Sequence, residues 1–198
     1  MQQEIKRTAI SISIFGERAV GKTCICLKFL GLEFHEEYLS TIGIEKMNGK
    51  IQTETGEELK LKLWDTAGQE RFKSVSLKNL KYSQAVVVVF DLTNKDSFEQ
   101  VTFWLKEIRE YSPELPIGLF GNKSDLVNER KVSKDEIDNL CKSEDLEYFE
   151  TSAKNNTGIK EGFTRIANLA FKLSRTVKNK GQKLSNKKKN KKKNKCWK

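Results

Sequence analysis

The chain has 198 residues and a net charge of +10, but Thr176 to Lys198 holds eleven lysines and no acidic residue, so residues 1–175 carry a net charge of −1. A nearly neutral body argues against a nucleic-acid interface that covers the whole domain. The four cysteines form no C-x-x-C pair and there is one histidine, which excludes a zinc-ligand set and a disulfide framework and favours a reducing compartment.

The first predicted element is a strand from Thr8 to Phe15, where isoleucine and serine alternate. A helix is expected to open at Gly21 and to run through Leu30. Between strand and helix, residues 16–23 fit the pattern G-x-x-x-x-G-K-[ST], and we call them the phosphate loop: Gly16, Glu17, Arg18, Ala19, Val20, Gly21, Lys22 and Thr23. Such a loop cradles phosphates with backbone N–H groups, adds a lysine charge and offers a hydroxyl to magnesium. A chance match is the alternative, and the strand–loop–helix context disfavours it.

The middle of the chain predicts a long polar loop over 33–43 and then a hairpin, with strands Ile44–Thr53 and Leu59–Trp64. The apolar run Ala85–Phe90 is typical of a strand buried on both faces of a parallel sheet. A helix follows from Asp96 to Glu110, and a short strand from Pro116 to Phe120.

The last part of the folded chain begins with a capping box at Ser133 and Glu136, which predicts a helix through Cys141. A strand at Tyr148–Thr151 and an apolar helical stripe from Ile159 to Leu173 follow. Strands that alternate with helices predict a doubly wound α/β fold, with a mostly parallel six-stranded sheet and helices on both faces. The ligand of such a sheet lies beyond the carboxyl ends of its strands, where the polar motifs fall.

Two of these motifs indicate which base is bound. Asn122-Lys123-x-Asp125 follows a predicted strand, and a carboxylate at Asp125 can accept both N1–H and the 2-amino group of guanine, a donor pair that adenine lacks. Asn122 and the stem of Lys123 are expected to hold the loop and the plane of the ring. Ser152-Ala153-Lys154 is placed to offer a backbone N–H to guanine O6. Ordinary polar loop residues are the alternative, which is disfavoured by four such loops in this order, at residues 16–23, 65–70, 122–125 and 151–154.

Taken in order, these motifs resemble those of small GTPases of the Ras superfamily, most closely the Rab branch. The similarity covers nearly all of residues 8–175 and includes Ser40–Ile44, Lys62–Phe72 and Val89–Thr93. It implies a switch that binds and slowly hydrolyses GTP, with Mg²⁺ as cofactor, in vesicle and membrane trafficking. It also implies effectors, an exchange factor and a GTPase-activating protein as partners.

The resemblance further implies roles for single residues. Lys22 and the loop amides hold the β- and γ-phosphates, Thr23 and Thr41 ligate Mg²⁺, and Asp65 reaches the ion through water. Gln69 orients the attacking water and the Gly68 amide contacts the γ-phosphate, so the implied catalytic residues are Gln69, Lys22, Thr41 and Gly68. Phe34 stacks on guanine, and Cys24 and Tyr38 complete the implied nucleotide contacts.

Three positions depart from the family pattern. Lys46 stands where Rab proteins usually carry phenylalanine, and Leu80–Ala85 only loosely resembles their tyrosine-rich segment, so the effector-reading surface is expected to be atypical. Arg18 replaces a smaller or neutral residue beside the γ-phosphate. It either acts as a built-in arginine finger, obstructs one from an activating protein, or points into solvent.

A metabolic P-loop kinase is a rival interpretation, but no acceptor site or lid is recognisable. A nuclear or RNA-associated GTPase is another, because Lys187–Lys193 also reads as a nuclear-import or RNA-binding patch. We expect a GTP-binding domain over 1–175 and a disordered polybasic tail over 176–198. The N-terminus lacks a signal-peptide core, so we expect a cytoplasmic location. The nearly neutral body argues against direct nucleic-acid binding, and the resemblance implies a monomer that is peripheral on an endomembrane. We expect the tail to bind the anionic cytosolic face of that membrane. A lipid on Cys196 is a further hypothesis, although Cys196 is not in a C-a-a-X box.

Overall fold

The computed structural model describes residues 9–33, 44–66 and 77–175, and every structural statement below concerns these ranges. They contain a six-stranded sheet in the order β2-β3-β1-β4-β5-β6. The strands are β1 (Ala9–Phe15), β2 (Ile44–Gln52), β3 (Glu58–Thr66), β4 (Ala85–Asp91), β5 (Ile117–Asn122) and β6 (Glu147–Glu150). Only the β2–β3 pair is antiparallel among these neighbours. The mostly parallel six-stranded sheet is confirmed.

Helices cover both faces of the sheet. They are α1 (Lys22–Phe29), α2 (Lys95–Glu99), α3 (Val101–Tyr111), α4 (Lys134–Glu144) and α5 (159–175). On one face, Ile25 of α1 and Ile166 of α5 pack with Leu63 of β3. On the other face, Leu105 of α3 and Ile137 of α4 pack with Val88 of β4. The doubly wound arrangement is therefore confirmed, and every residue of β4 is buried, as its apolar run predicts.

The capping box that the sequence predicts at α4 is present. The Ser133 hydroxyl accepts the Glu136 N–H, and the Glu136 carboxylate accepts the Ser133 N–H. Glu136 also pairs with Lys95 of α2, and these hydrogen bonds, the Lys95 contact foremost, hold the pKa of Glu136 down at about 2. The box fixes where α4 begins, and the Lys95–Glu136 ion pair ties α4 to α2.

Several boundaries differ from the sequence predictions. The helix expected over Asp96 to Glu110 is two helices joined at Gln100, which keeps a right-handed helical backbone. Strand β3 continues through Thr66 because both β1 and β2 pair with Asp65, and β2 also pairs with Thr66. Strand β5 continues through Asn122, which pairs with Asp91. The sheet thus extends into the polar motifs.

Candidate nucleotide-binding site

The phosphate loop joins β1 to α1 with an unusual backbone. Gly16, Ala19 and Gly21 all have positive φ, at 138°, 63° and 95°. A Cβ on Gly16 would lie 2.1 Å from the Val89 carbonyl oxygen, so only glycine fits against β4. Such left-handed turns point successive N–H groups toward one concave region, which is a site for an anion.

Lys22 lies inside this loop. Its side chain is 6 % exposed, and its ammonium donates to the carbonyl oxygens of Gly16 at 2.9 Å and Glu17 at 2.8 Å. Burial lowers the pKa of Lys22 to about 8, against the opposing effect of Asp65 and Glu17. A phosphate beside the ammonium would favour its charged form again. The lysine is thus positioned to gain from an anionic ligand.

Nucleotide affinity should consequently depend on the titration of Lys22. The pKa is lowered, so above about 8 the site without nucleotide loses the proton that phosphate binding requires. We expect GDP affinity to fall about tenfold between pH 7 and pH 9. Isothermal titration calorimetry with GDP measures this affinity at each pH. The arginine in Lys22→Arg does not titrate in this range, so this variant corrects for titration of the guanine base. If its GDP affinity fell as much as that of the wild type, the role of Lys22 would be contradicted.

Two residues of the implied metal set, Thr23 and Asp65, contact each other. Thr23 follows Lys22 in α1, and its hydroxyl donates to Oδ2 of Asp65 at 2.6 Å. Asp65 is fully buried near the carboxyl end of β3. Within the described ranges no cluster of three histidine, cysteine or acidic residues could hold a metal. Mg²⁺ is commonly bound by one or two protein oxygens together with substrate phosphates and water, so this hard oxygen pair fits the ion.

Asn122 connects the phosphate loop to the two loops that the sequence predicts to contact the base, residues 122–125 and 152–154, which we call the base-reading loops. It is 2 % exposed, and its Nδ2 donates to the Val20 carbonyl oxygen at 2.8 Å. Its Oδ1 accepts the Ala153 N–H at 3.2 Å and the Thr151 hydroxyl at 3.4 Å. One buried amide therefore holds three loops from distant parts of the chain at one end of the sheet.

The neighbouring base-reading residues are also tied together. Oδ1 of Asp125 accepts the Ser152 hydroxyl at 2.5 Å. Lys123 has a positive φ of 65°, and its ammonium lies 2.6 Å from Oδ2 of Asp91. Lys154 follows Ala153 in an exposed turn. Among the described residues, the Ser152 hydroxyl alone donates to the Asp125 carboxylate, so the second oxygen can accept from a ligand.

Sequence reasoning missed two contacts that support these loops. Asp91 holds Lys123, and the sequence signalled it only by its place after the apolar run of β4 and within the resembling segment Val89–Thr93. Trp104 of α3 donates its indole N–H to Oε1 of Glu17 at 3.2 Å. No pattern in the sequence pairs residue 17 with residue 104. The phosphate loop is therefore linked to α3 as well as to Asn122.

The remaining positions of the loop are more open. Arg18 and Ala19 are exposed, and Cys24 is half-buried in the first turn of α1, where burial raises the pKa of its thiol. The whole tail lies outside the described ranges, and so do several implied site residues: Phe34, Tyr38, Thr41, Gly68, Gln69 and Cys196.

Comparison with known proteins decides the family. The model of the Ras family matches residues 11–172. The chain belongs to the Ras family and is a Rab-like small GTPase. It is 36 % identical over 177 residues to the Ras-related protein Rab-13 of Bos taurus, covering 89 % of this chain and 84 % of that protein. It is also 34 % identical over 163 residues to the Ras-related protein Rab-15 of Homo sapiens, covering 82 % and 76 %.

This Rab-like GTPase therefore binds GTP and GDP with Mg²⁺, hydrolyses GTP, and acts in membrane trafficking. Effectors, exchange factors and activating proteins are its general class of partners, and endomembranes are where it associates. None of the relatives supports the nuclear or RNA-associated alternative. In the described ranges, no helix has the length and apolarity needed to cross a bilayer.

Proposed function

We propose that this Rab-like GTPase holds its nucleotide with the residues gathered around Asn122. The observation that carries the proposal is that Asn122 donates to Val20 of the phosphate loop and accepts from the Ala153 N–H of the base-reading loop, which joins the two loops. A ligand that spans both loops must have phosphates at one end and a base at the other. Because all of these residues belong to one chain, we propose that the switch works as a monomer.

Each group then has a defined task. The phosphate-loop amides and the Lys22 ammonium bind the β- and γ-phosphates, and Asp125 accepts the N1–H and 2-amino donors of guanine. Thr23 and Asp65, with Thr41, would hold Mg²⁺, which neutralises charge on the phosphate oxygens when bound. Lys22 is already positioned by its two carbonyl contacts, so little rearrangement is needed when phosphate replaces them.

Hydrolysis requires an aligned water, and we assign this task to Gln69. Its amide orients the water for in-line attack, while the Gly68 N–H contacts the γ-phosphate. When that phosphate leaves, Thr41 and Gly68 lose their contacts and both segments relax, which is the switch.

Gln69→Leu tests this assignment. The leucine side chain cannot orient water, so we expect intrinsic hydrolysis to fall about tenfold or more while GDP and GTP affinities stay within about twofold. Single-turnover phosphate release from preloaded protein measures the first quantity, and nucleotide titration the second. Arg18→Ser is run beside it, because a fall in that variant would indicate a cis arginine finger. A Gln69→Leu rate equal to the wild type would remove Gln69 from the mechanism.

We also propose that residues 176–198 attach the GTPase to the cytosolic face of an anionic endomembrane. Eleven lysines attract anionic lipids by about 1 kcal/mol each near the surface, and a single lipid chain on Cys196 would add a second, hydrophobic signal. One chain alone binds weakly and reversibly, so the two signals are expected to act together.

The tail proposal predicts a salt-sensitive and cysteine-dependent membrane association. Cys196→Ser should shift most of the protein from the membrane fraction to the soluble fraction, and mass spectrometry of the native C-terminal peptide should show a prenyl mass on Cys196. Cys141→Ser is the matched control, since this cysteine lies in α4. Full membrane recovery of Cys196→Ser in high salt would contradict both signals.

A further inference from the structure

The hairpin of β2 and β3 has one covered face and one basic face. On the covered face, Met47 and Ile51 pack with Leu61 in the core beside α1 and α5. The opposite face carries alternate residues of both strands. We call five of them the basic face: Lys46, Lys50, Lys60, Lys62 and Trp64.

The lysines of this face lie close together although they repel one another. Lys50 and Lys60 are direct partners in the antiparallel pairing, and like charges in that position destabilise a sheet. Lys50 has a counter-charge in Glu58, at 3.4 Å. Lys60 and Lys62 form no ion pair with any residue in the described part of the chain. A domain whose net charge is close to zero thus concentrates unneutralised positive charge on one sheet face.

Protection against aggregation does not account for these residues. Lysines on an exposed edge strand prevent edge-to-edge pairing, and this role explains the presence of Lys46 and Lys50 on β2. Lys60 and Lys62 lie on β3, which is paired with β2 on one side and β1 on the other. They protect no edge, so their charges are available for another role.

Trp64 decides which class of anion suits the face. The Lys46 ammonium lies 5.7 Å from the centre of the indole ring, so the ring is capped and is not an open platform for stacking a base. Trp64 Nε1 is buried and has no hydrogen-bond acceptor among the described residues. A carboxylate that paired with Lys46 would draw this ammonium off the ring and so change the electrostatic surroundings of the indole.

A membrane surface fits less well than a protein. Large hydrophobic side chains that could enter a bilayer are exposed at five described positions, none of them in β2 or β3: Leu32, Tyr82, Tyr111, Val127 and Leu173. Helix α5, from whose end the lysine tail continues, packs on the other side of the sheet through Ile166. We propose that the basic face docks an acidic segment of a partner protein, whose carboxylates pair with Lys60 and Lys62.

The test uses the full GDP-loaded chain and a labelled 15-residue peptide with Asp or Glu at alternate positions. Lys60→Glu with Lys62→Glu should weaken peptide binding about tenfold, because two attractive contacts become repulsive. Lys134→Glu with Lys142→Glu makes the same change of charge on exposed positions of α4 and should alter binding less than twofold. The tail is identical in both variants, so its own binding cancels in the comparison. Fluorescence anisotropy measures both affinities.

Two further measurements test the docking of the acidic segment. The Trp64 indole N–H resonance, assigned with Trp64→Phe, should shift when the acidic peptide is added and stay unchanged with its Asn and Gln counterpart. The β3 variants should unfold at no lower temperature than wild type, because Lys60 no longer repels Lys50. Equal weakening by both double variants would overturn the proposal in favour of a net-charge effect. A larger loss of binding to phosphatidylserine vesicles or poly-U RNA than to the peptide would overturn it in favour of a membrane or RNA.

Discussion

Asp125→Asn is expected to lower GTP affinity by about 10²- to 10⁴-fold and to create affinity for xanthosine triphosphate. Each hydrogen bond to a charged group contributes about 1.5–3 kcal/mol, and the substitution removes two of them while it sets an amide donor against the guanine donors. Xanthine carries a carbonyl at C2, which can accept from the new amide. Competition of both triphosphates and of ATP against labelled GDP measures the change.

Asp135→Asn is the matched control for this experiment. Asp135 is an exposed carboxylate in the first turn of α4, so the control removes the same charge away from the base-reading loops. The fold should survive in both variants, because an asparagine Oδ1 can still accept the Ser152 hydroxyl. A variant that retains GTP affinity within twofold would show that Asp125 does not read the base, as would a wild-type protein that binds ATP as well as GTP.

Gly21→Ala is the second change for which we expect a large effect. A Cβ at residue 21 would lie 2.3 Å from Nδ2 of Asn122, the atom that donates to the Val20 carbonyl oxygen. Asn122 is buried, so displacing it leaves polar groups unsatisfied at about 1–3 kcal/mol each. The phosphate loop and the base-reading loop then lose their connection. We expect GDP affinity to fall by about 10²-fold or more.

Gly56→Ala separates this effect from backbone strain. Gly56 in the β2–β3 turn has a φ of 81°, close to the 95° of Gly21, but a Cβ there meets no atom within 4 Å. Both variants incur the strain of a left-handed residue, about 1–2 kcal/mol, and only Gly21→Ala also displaces Asn122. Chemical denaturation with and without GDP measures both. Equal GDP affinities in the two variants would contradict the importance of the Asn122 connection.

Local patterns in the sequence predicted the six strands and the main helices, although not the break at Gln100 between α2 and α3. The Ala85–Phe90 run predicted a strand buried on both faces, and its burial is complete. Ser133 and Glu136 predicted where α4 begins, because a capping box satisfies N–H groups within a few residues of itself. The order of motifs also predicted that Lys22, Asn122 and Asp125 belong to one site, since the carboxyl ends of parallel strands meet at one edge of a sheet.

The tertiary structure alone decided how those residues are connected. Asn122 reaches Val20 across 102 positions of sequence, and Trp104 reaches Glu17 across 87. Such contacts depend on the pairing of strands and the packing of helices that are far apart in the chain, which no local period encodes. The same reason explains why β3 extends through Thr66. The sequence by itself predicted which residues form the nucleotide site, whereas only the folded sheet determined which of the described ones hold one another in place.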